Sequence, residues 1–193
     1  MKPRIYLGGK IGKNDWRQAI VPGLRSALYE DGPFDAGTFI YAGPYFVSCD
    51  HGCNHGPTTH GVLPARSSLS DPCYEPFEGA QPDRHEVARR AIEGVRMSQL
   101  VFVYINALDC IGSIFEIGVA AQMRKPMALC FDACVDEREF WLPVHHPGLT
   151  IYSGITEGDL PSLLGSELGA LQHRAGRYSD ENRIFEAIEA MLS

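Results

Sequence analysis

The sequence predicts an α/β protein: a doubly wound, mainly parallel sheet of five strands with helices on both faces. Three observations carry this expectation. "LVFVYIN", residues 100–106, is almost entirely apolar and β-rich, the pattern of a strand covered on both faces. Strand-like runs alternate with stretches whose apolar residues recur at helical spacing. The 193 residues suit a single domain with a full hydrophobic core.

The elements follow in order. "RIYLG" (4–8) is a short strand ending in the pair Gly8-Gly9. "NDWRQAIVPGLRSALYEDG" reads as a helix starting at Asn14 or Asp15, with Trp16, Ile20, Leu24 and Leu28 at helical spacing. Pro22 kinks or splits it, and Gly32 ends it. "TFIYAG" (38–43) is the second strand. Residues 44–82 form a long insertion rich in Gly, Pro, His, Ser and Cys; a stretch of this length without a period is more often a lid or binding loop than filler. Helical spacing returns in "PDRHEVARRAIEGVRMS" through Val87, Ile92 and Val95. After the central strand come the helix "SIFEIGVAAQMRK", the strand "PMALCF", a fifth strand "LTIYSG", and two closing helices, "DLPSLLGSELGALQ" and "SDENRIFEAIEAMLS". Such a Rossmann- or flavodoxin-like sheet binds ligands beyond the carboxyl ends of its strands. "GGKIGK", the insertion and "NALDCIGS" meet there.

A net charge of −7 with dispersed basic residues argues against a nucleic-acid surface. No apolar run reaches the roughly 20 residues of a membrane span. "MKPR" leads straight into a strand without an apolar signal segment. The six cysteines, at 49, 53, 73, 110, 130 and 134, are expected to be reduced thiols in a cytoplasmic protein.

The chemistry-bearing candidate is Glu116 in "GSIFEIG" (112–118), one acid among apolar residues and glycines. "SIFE" is also Ser-x-x-Glu, a capping-box pattern in which Ser113 and Glu116 satisfy the first helical N–H groups. On pattern alone the cap is the better reading. Asp109, in the loop after the central strand, is either a second working acid or a turn cap. In "GGKIGKNDWR", the Gly8-Gly9 turn lets a ligand approach the backbone, and Lys10, Lys13 and Arg17 offer charge to a phosphate. Trp16 reads as core, and Lys13 as a solvated helix start. Cys49, His51, Cys53 and His55 alternate, followed by His60; thiolate and imidazole suit zinc, but the spacing fits no usual knuckle. A structural zinc, a lid histidine donating a proton to a leaving group, and a self-bonded Gly-rich loop all remain open for this stretch. Tyr45 and Phe46 either stack on a ligand or bury the loop root, while His145 and His146 read as an exposed turn.

A buried strand, a loop acid and then "DCIGSIFEIGVAAQMRKP", together with "RIYLGG" at the first strand, resembles the nucleoside 2-deoxyribosyltransferase family, whose sister enzymes hydrolyse nucleoside 5′-monophosphates. The resemblance covers the frame from 4 to 42 and from 85 to 131 within one domain spanning 1–193. It implies that Glu116 is the nucleophile and tips the reading of "SIFE" toward catalysis. It further implies that Asp109 positions the sugar or assists proton transfer. Aligned on the motif glycine, Cys110 stands where the family has its loop acid, and Asp109 stands one place before. Tyr6, Gly8, Gly9, Lys10, Arg17, Gly112 and Ser113 would hold the ligand. The expected activity is cleavage or exchange of N-glycosidic bonds of (deoxy)nucleosides in a homo-oligomer with no organic cofactor. Hydrolysis of nucleoside 5′-monophosphates or NAD, and nucleotide binding without turnover, are the alternatives.

Overall fold

The computed structural model describes residues 2–11, 15–21, 24, 33–44, 84–140, 143 and 148–174. Its strands are β1 (Arg4–Gly9), β2 (Phe34–Asp35), β3 (Ile40–Tyr41), β4 (Leu100–Ile105), β5 (Met127–Asp132) and β6 (Leu149–Ile155). The helices are α1 (Arg17–Ile20), α2 (Arg84–Met97), α3 (Ile111–Gln122) and α4 (160–174). The sheet runs β2-β3-β1-β4-β5-β6, and every pairing except β2 with β3 is parallel. The parallel strands alone therefore lie in the order second, first, third, fourth, fifth, the flavodoxin-like doubly wound arrangement. This is the fold that the alternation of apolar runs predicts.

Two apolar layers sandwich the sheet. On one face Leu7, Phe102, Tyr104 and Cys130 pack against Trp16 and Val21 of the α1 region and Leu160, Leu164 and Leu168 of α4. On the other, Tyr6, Val101, Val103 and Leu129 pack against Val95 of α2 and Ile117 and Ala120 of α3. All six residues of β4 are buried, as a doubly covered central strand requires. Two of the five parallel strands, β1 and β4, are neighbours whose connections leave in opposite directions across the sheet. The crevice beyond their carboxyl ends is the topological switch point.

Three details differ from the sequence expectation. The strand expected over 38–43 is reduced to Ile40–Tyr41, and a two-residue antiparallel strand, β2, precedes it. Asp35 Oδ1 accepts the Gly37 N–H at 2.9 Å, and Gly37 takes a φ of +92°, so the turn residues themselves close the hairpin. The helix expected from residue 14 begins at Arg17 and is interrupted after Ile20 by extended backbone at Val21, just before Pro22, while Leu24 is helical again. Helix α3 begins at Ile111, two residues earlier than the periodicity suggests. The C-terminal helix expected over 179–193 lies outside the described residues.

Helix α2 lies unusually close to the sheet because residue 94 is glycine. A Cβ there would stand 2.3 Å from the Ala42 carbonyl oxygen and 3.0 Å from the Tyr6 ring. Gly94→Ala is expected to lower stability by about 1–3 kcal/mol, since a backbone atom cannot yield as a side chain can. Urea melts of the variant check this.

Candidate functional site

The glycines and Tyr6 of β1 build the floor of the crevice. Side chains two apart on a strand share a face, so Tyr6 and Gly8 both face α3. Tyr6 fills its place and Gly8 leaves its place empty. Glu116 occupies that gap from the second turn of α3. Its Oε1 accepts a hydrogen bond of 2.5 Å from the Tyr6 hydroxyl, and a Cβ added at Gly8 would lie 3.2 Å from Oε2. Among the described residues Oε2 has no hydrogen-bond partner. Gly9, at a φ of +136°, turns the chain away with its Cα so close to β4 that a Cβ would fall 2.5 Å from the Tyr104 carbonyl oxygen; only glycine fits.

The capping-box reading does not survive the position of the helix start. The N-cap is Cys110, with no side-chain cap bond, so Ser113 is the third helical residue and Glu116 the sixth. The carboxylate is directed at β1 rather than at the first-turn amides. Ser113 is buried and Gly112 exposed at this helix start.

Enclosure decides the electrostatics of Glu116. Burial pushes its carboxyl up to about 7, against the Tyr6 hydrogen bond and the positive charge of Arg17, which both act to lower it. The side chain is nonetheless only partly shielded from solvent, so it is reachable. Tyr6, fully buried, is driven well above its ordinary value by burial and by the facing carboxylate, so it stays a neutral donor. A carboxylate poised near neutrality, fixed through one oxygen and open at the other, can act as a base, a nucleophile or a counter-charge to a developing cation.

Lys10 and Asp109 stand at the rim. The Lys10 ammonium donates to both carboxylate oxygens of Asp109, at 2.7 and 2.6 Å, and ties the loop after β1 to the loop after β4. That hydrogen bond, ahead of every other influence, holds the exposed Asp109 carboxyl below its ordinary value. Asp109 is thus ionised across neutral pH. It can accept hydrogen bonds from sugar hydroxyls, while a role as proton donor would require the Lys10 contact to open first.

Arg17 holds a different post from the phosphate-facing one expected of it. Its guanidinium is fully buried; Nε donates to the Leu7 carbonyl at 2.6 Å, Nη2 to the Gly9 carbonyl at 2.7 Å, and Nη1 to both oxygens of Asp15 at 2.9 and 2.8 Å. Both carbonyls lie on the β3 side of β1, where Leu7 N–H already meets the Gly43 carbonyl. Strand β3 stops at Tyr41, so Arg17 supplies the donors that a longer strand would have supplied. Asp15 also accepts the Arg17 N–H at 3.0 Å, and Trp16 lies under the guanidinium at 4.6 Å. Arg17 shapes the floor of the site without lining it.

Tyr6 is the residue whose role the sequence left unseen. It stands among the expected ligand-binding residues, but its work in the structure is to hold Glu116. The period of two in "YLG" carries the signal: an aromatic hydroxyl and a missing side chain on one face, next to a helix bearing a lone acid. The calls on Lys13, Tyr45, Phe46, Cys49, His51, Cys53, His55, His60, His145 and His146 fall outside the described residues. Among the described residues no three His, Cys, Asp or Glu side chains converge as metal ligands, and no helix is long and apolar enough to cross a membrane. No family model matches the chain, and no curated protein sequence matches it.

Proposed function

We propose that the protein is an enzyme that cleaves or exchanges the N-glycosidic bond of (deoxy)nucleosides, with Glu116 as its nucleophile. The observation that carries this reading is the placing of one carboxylate over side-chain-free backbone at the switch point: Oε1 is held by Tyr6 and Oε2 faces the gap above Gly8. Breaking the bond sends its electron pair to the base nitrogen and leaves the anomeric carbon cationic. Glu116 Oε2 stabilises that carbon or bonds to it. An incoming base or a water then takes the carbon and frees the carboxylate, and the departing base acquires a proton from solvent or from a group outside the described residues. Asp109, ionised, serves the sugar hydroxyls. No organic cofactor enters this scheme.

Lys10 favours a second form of the same chemistry. An ammonium at the crevice rim suits a substrate carrying a phosphate, as in hydrolysis of a nucleoside 5′-monophosphate or of NAD. Arg17 no longer contributes to that argument. Expected association into a homo-oligomer has surface available to it: Leu108, Ile111 and Phe115, beside the site, are 64%, 78% and 60% exposed. A cytoplasmic location belongs to the same proposal.

Chromatography of reactions with deoxynucleosides, ribonucleosides, their 5′-monophosphates and NAD, each with and without a second free base, tests it. A new nucleoside formed only when acceptor base is present identifies transfer. Base release indifferent to acceptor identifies hydrolysis. No release from any of these substrates overturns the proposal in favour of binding without turnover.

A further inference from the structure

At the opposite edge of the sheet, below the amino ends of β5 and β6, lies a cavity of about 540 Å³ lined by Gln122, Arg124, Lys125, Gly148 and Arg174 among others. The chain carries 24 acidic and 17 basic residues, yet among the described residues the lining holds three cations and no acid. A local positive field on an acidic protein calls for an explanation beyond solubility.

Cations gather at helix C-termini, where they cap the last carbonyls. The backbone already performs that task for α3. The Arg124 N–H bonds the Ala121 carbonyl and the Lys125 N–H bonds the Ala120 carbonyl, both at 3.0 Å, which is the Schellman closure. The Lys125 ammonium caps α2 instead, donating to the Arg96 carbonyl in its last turn and to the Ser98 carbonyl just past it, at 2.6 and 2.7 Å. Neither task uses the Arg124 or Arg174 guanidinium, and neither is paired with a carboxylate among the described residues.

Arg124 is also the wrong residue for its backbone. It occupies the left-handed position that closes α3, with a φ of +53°, where glycine is the usual choice. It is the non-glycine residue with positive φ among the described residues. A large side chain held in a disfavoured conformation, lining with a second arginine a cavity that holds no acid among the described residues, points to a ligand. Guanidinium groups match phosphate oxygens two at a time.

We propose that this cavity is a second ligand site, separate from the Glu116 crevice, that binds a small anion of the pyrophosphate class through Arg124 and Arg174. Gln122 adds a neutral donor, and Lys125, already engaged with α2, contributes field more than contact. The site lies at the C-terminal end of α3 and Glu116 on its second turn facing β1, eight residues or about 12 Å apart along the helix, so its occupant is not the group undergoing reaction.

Isothermal titration of the full chain with inorganic pyrophosphate, at low and at moderate salt, tests this. One anion per chain is expected at the cavity. Arg124→Gly suits the left-handed backbone, so it keeps the fold while removing the charge. It is expected to weaken binding at least tenfold without lowering the melting temperature. Arg174→Ala should weaken binding similarly, and Lys10→Ala, at the other crevice, should leave it within twofold. Absence of binding at millimolar pyrophosphate overturns the proposal. So does binding that survives Arg124→Gly and Arg174→Ala, or that disappears with Lys10→Ala.

Discussion

Glu116→Gln is expected to reduce N-glycosidic turnover by about 1,000-fold or more, because the amide can neither bond to the anomeric carbon nor offset its charge. Substrate affinity should change by no more than roughly threefold, since the amide keeps the shape and the Tyr6 hydroxyl can still donate to its oxygen. The same substitution should make the protein more stable at high pH. Glu116 titrates near 7 in the folded protein against an ordinary 4.5, so the folded state binds its proton more tightly than the unfolded chain does. For a group of this sign, stability falls as pH rises from about 4.5 to 7, by at most about 3 kcal/mol and less for the residue's partial exposure. Wild type and Glu116→Gln should therefore denature alike near pH 4, with the variant more resistant at pH 8. Activity should run the other way, rising through a midpoint near 7 as the carboxylate ionises. Urea melts at the two pH values, beside a kcat/KM profile, check both slopes. Equal stabilities at pH 8 would remove the case for an enclosed, strained carboxylate.

Arg17→Met should be the most damaging single change in the described residues for stability, at about 3–5 kcal/mol. It removes the guanidinium that binds both oxygens of Asp15, 7% exposed, and orphans the carbonyls of Leu7 and Gly9. Activity should vanish with it, because those carbonyls fix the Gly8-Gly9 floor under Glu116. Adding Asp15→Asn to Arg17→Met should recover part of the loss, since the buried negative charge is then gone. Thermal melts of the two single variants and the double variant measure the coupling. Additive losses would mean that the pair is incidental to the turn.

The parallel frame was readable because β1, β4 and β5 are each apolar runs of six residues, long enough to have a pattern. β4 announced itself through six consecutive buried residues. β2 did not, because a two-residue strand has no period and its Asp35 and Gly37 are turn formers. Glu116 was legible as one acid following a buried strand, but the pattern alone favoured a cap, and it was the family resemblance that made it a candidate nucleophile. Its bonding was not legible: Ser113 and Glu116 imitate a capping box, and the true start at Cys110 carries no side-chain cap to mark it. Arg17 shows a limit of a different kind. A basic residue near a glycine turn has the same appearance in sequence whether it meets solvent, a phosphate or the protein's own carbonyls. The shortness of β3 settled which, and that is a property of the folded sheet.

The contact between Tyr6 and Glu116 joins residues 110 positions apart in the chain. It forms only after β1 has found β4, a parallel pairing with a long stretch of chain looped between its partners and so among the slower events in assembling such a sheet. Neither the segment bearing the hydroxyl nor the segment bearing the acid owns the site. Chemical competence is therefore all-or-none with respect to the central sheet: a nascent chain still lacking α3 has no partial version of it, and local helix formation in "GSIFEIG" generates none. Fraying of the β1–β4 seam would silence the protein before its outer strands separate.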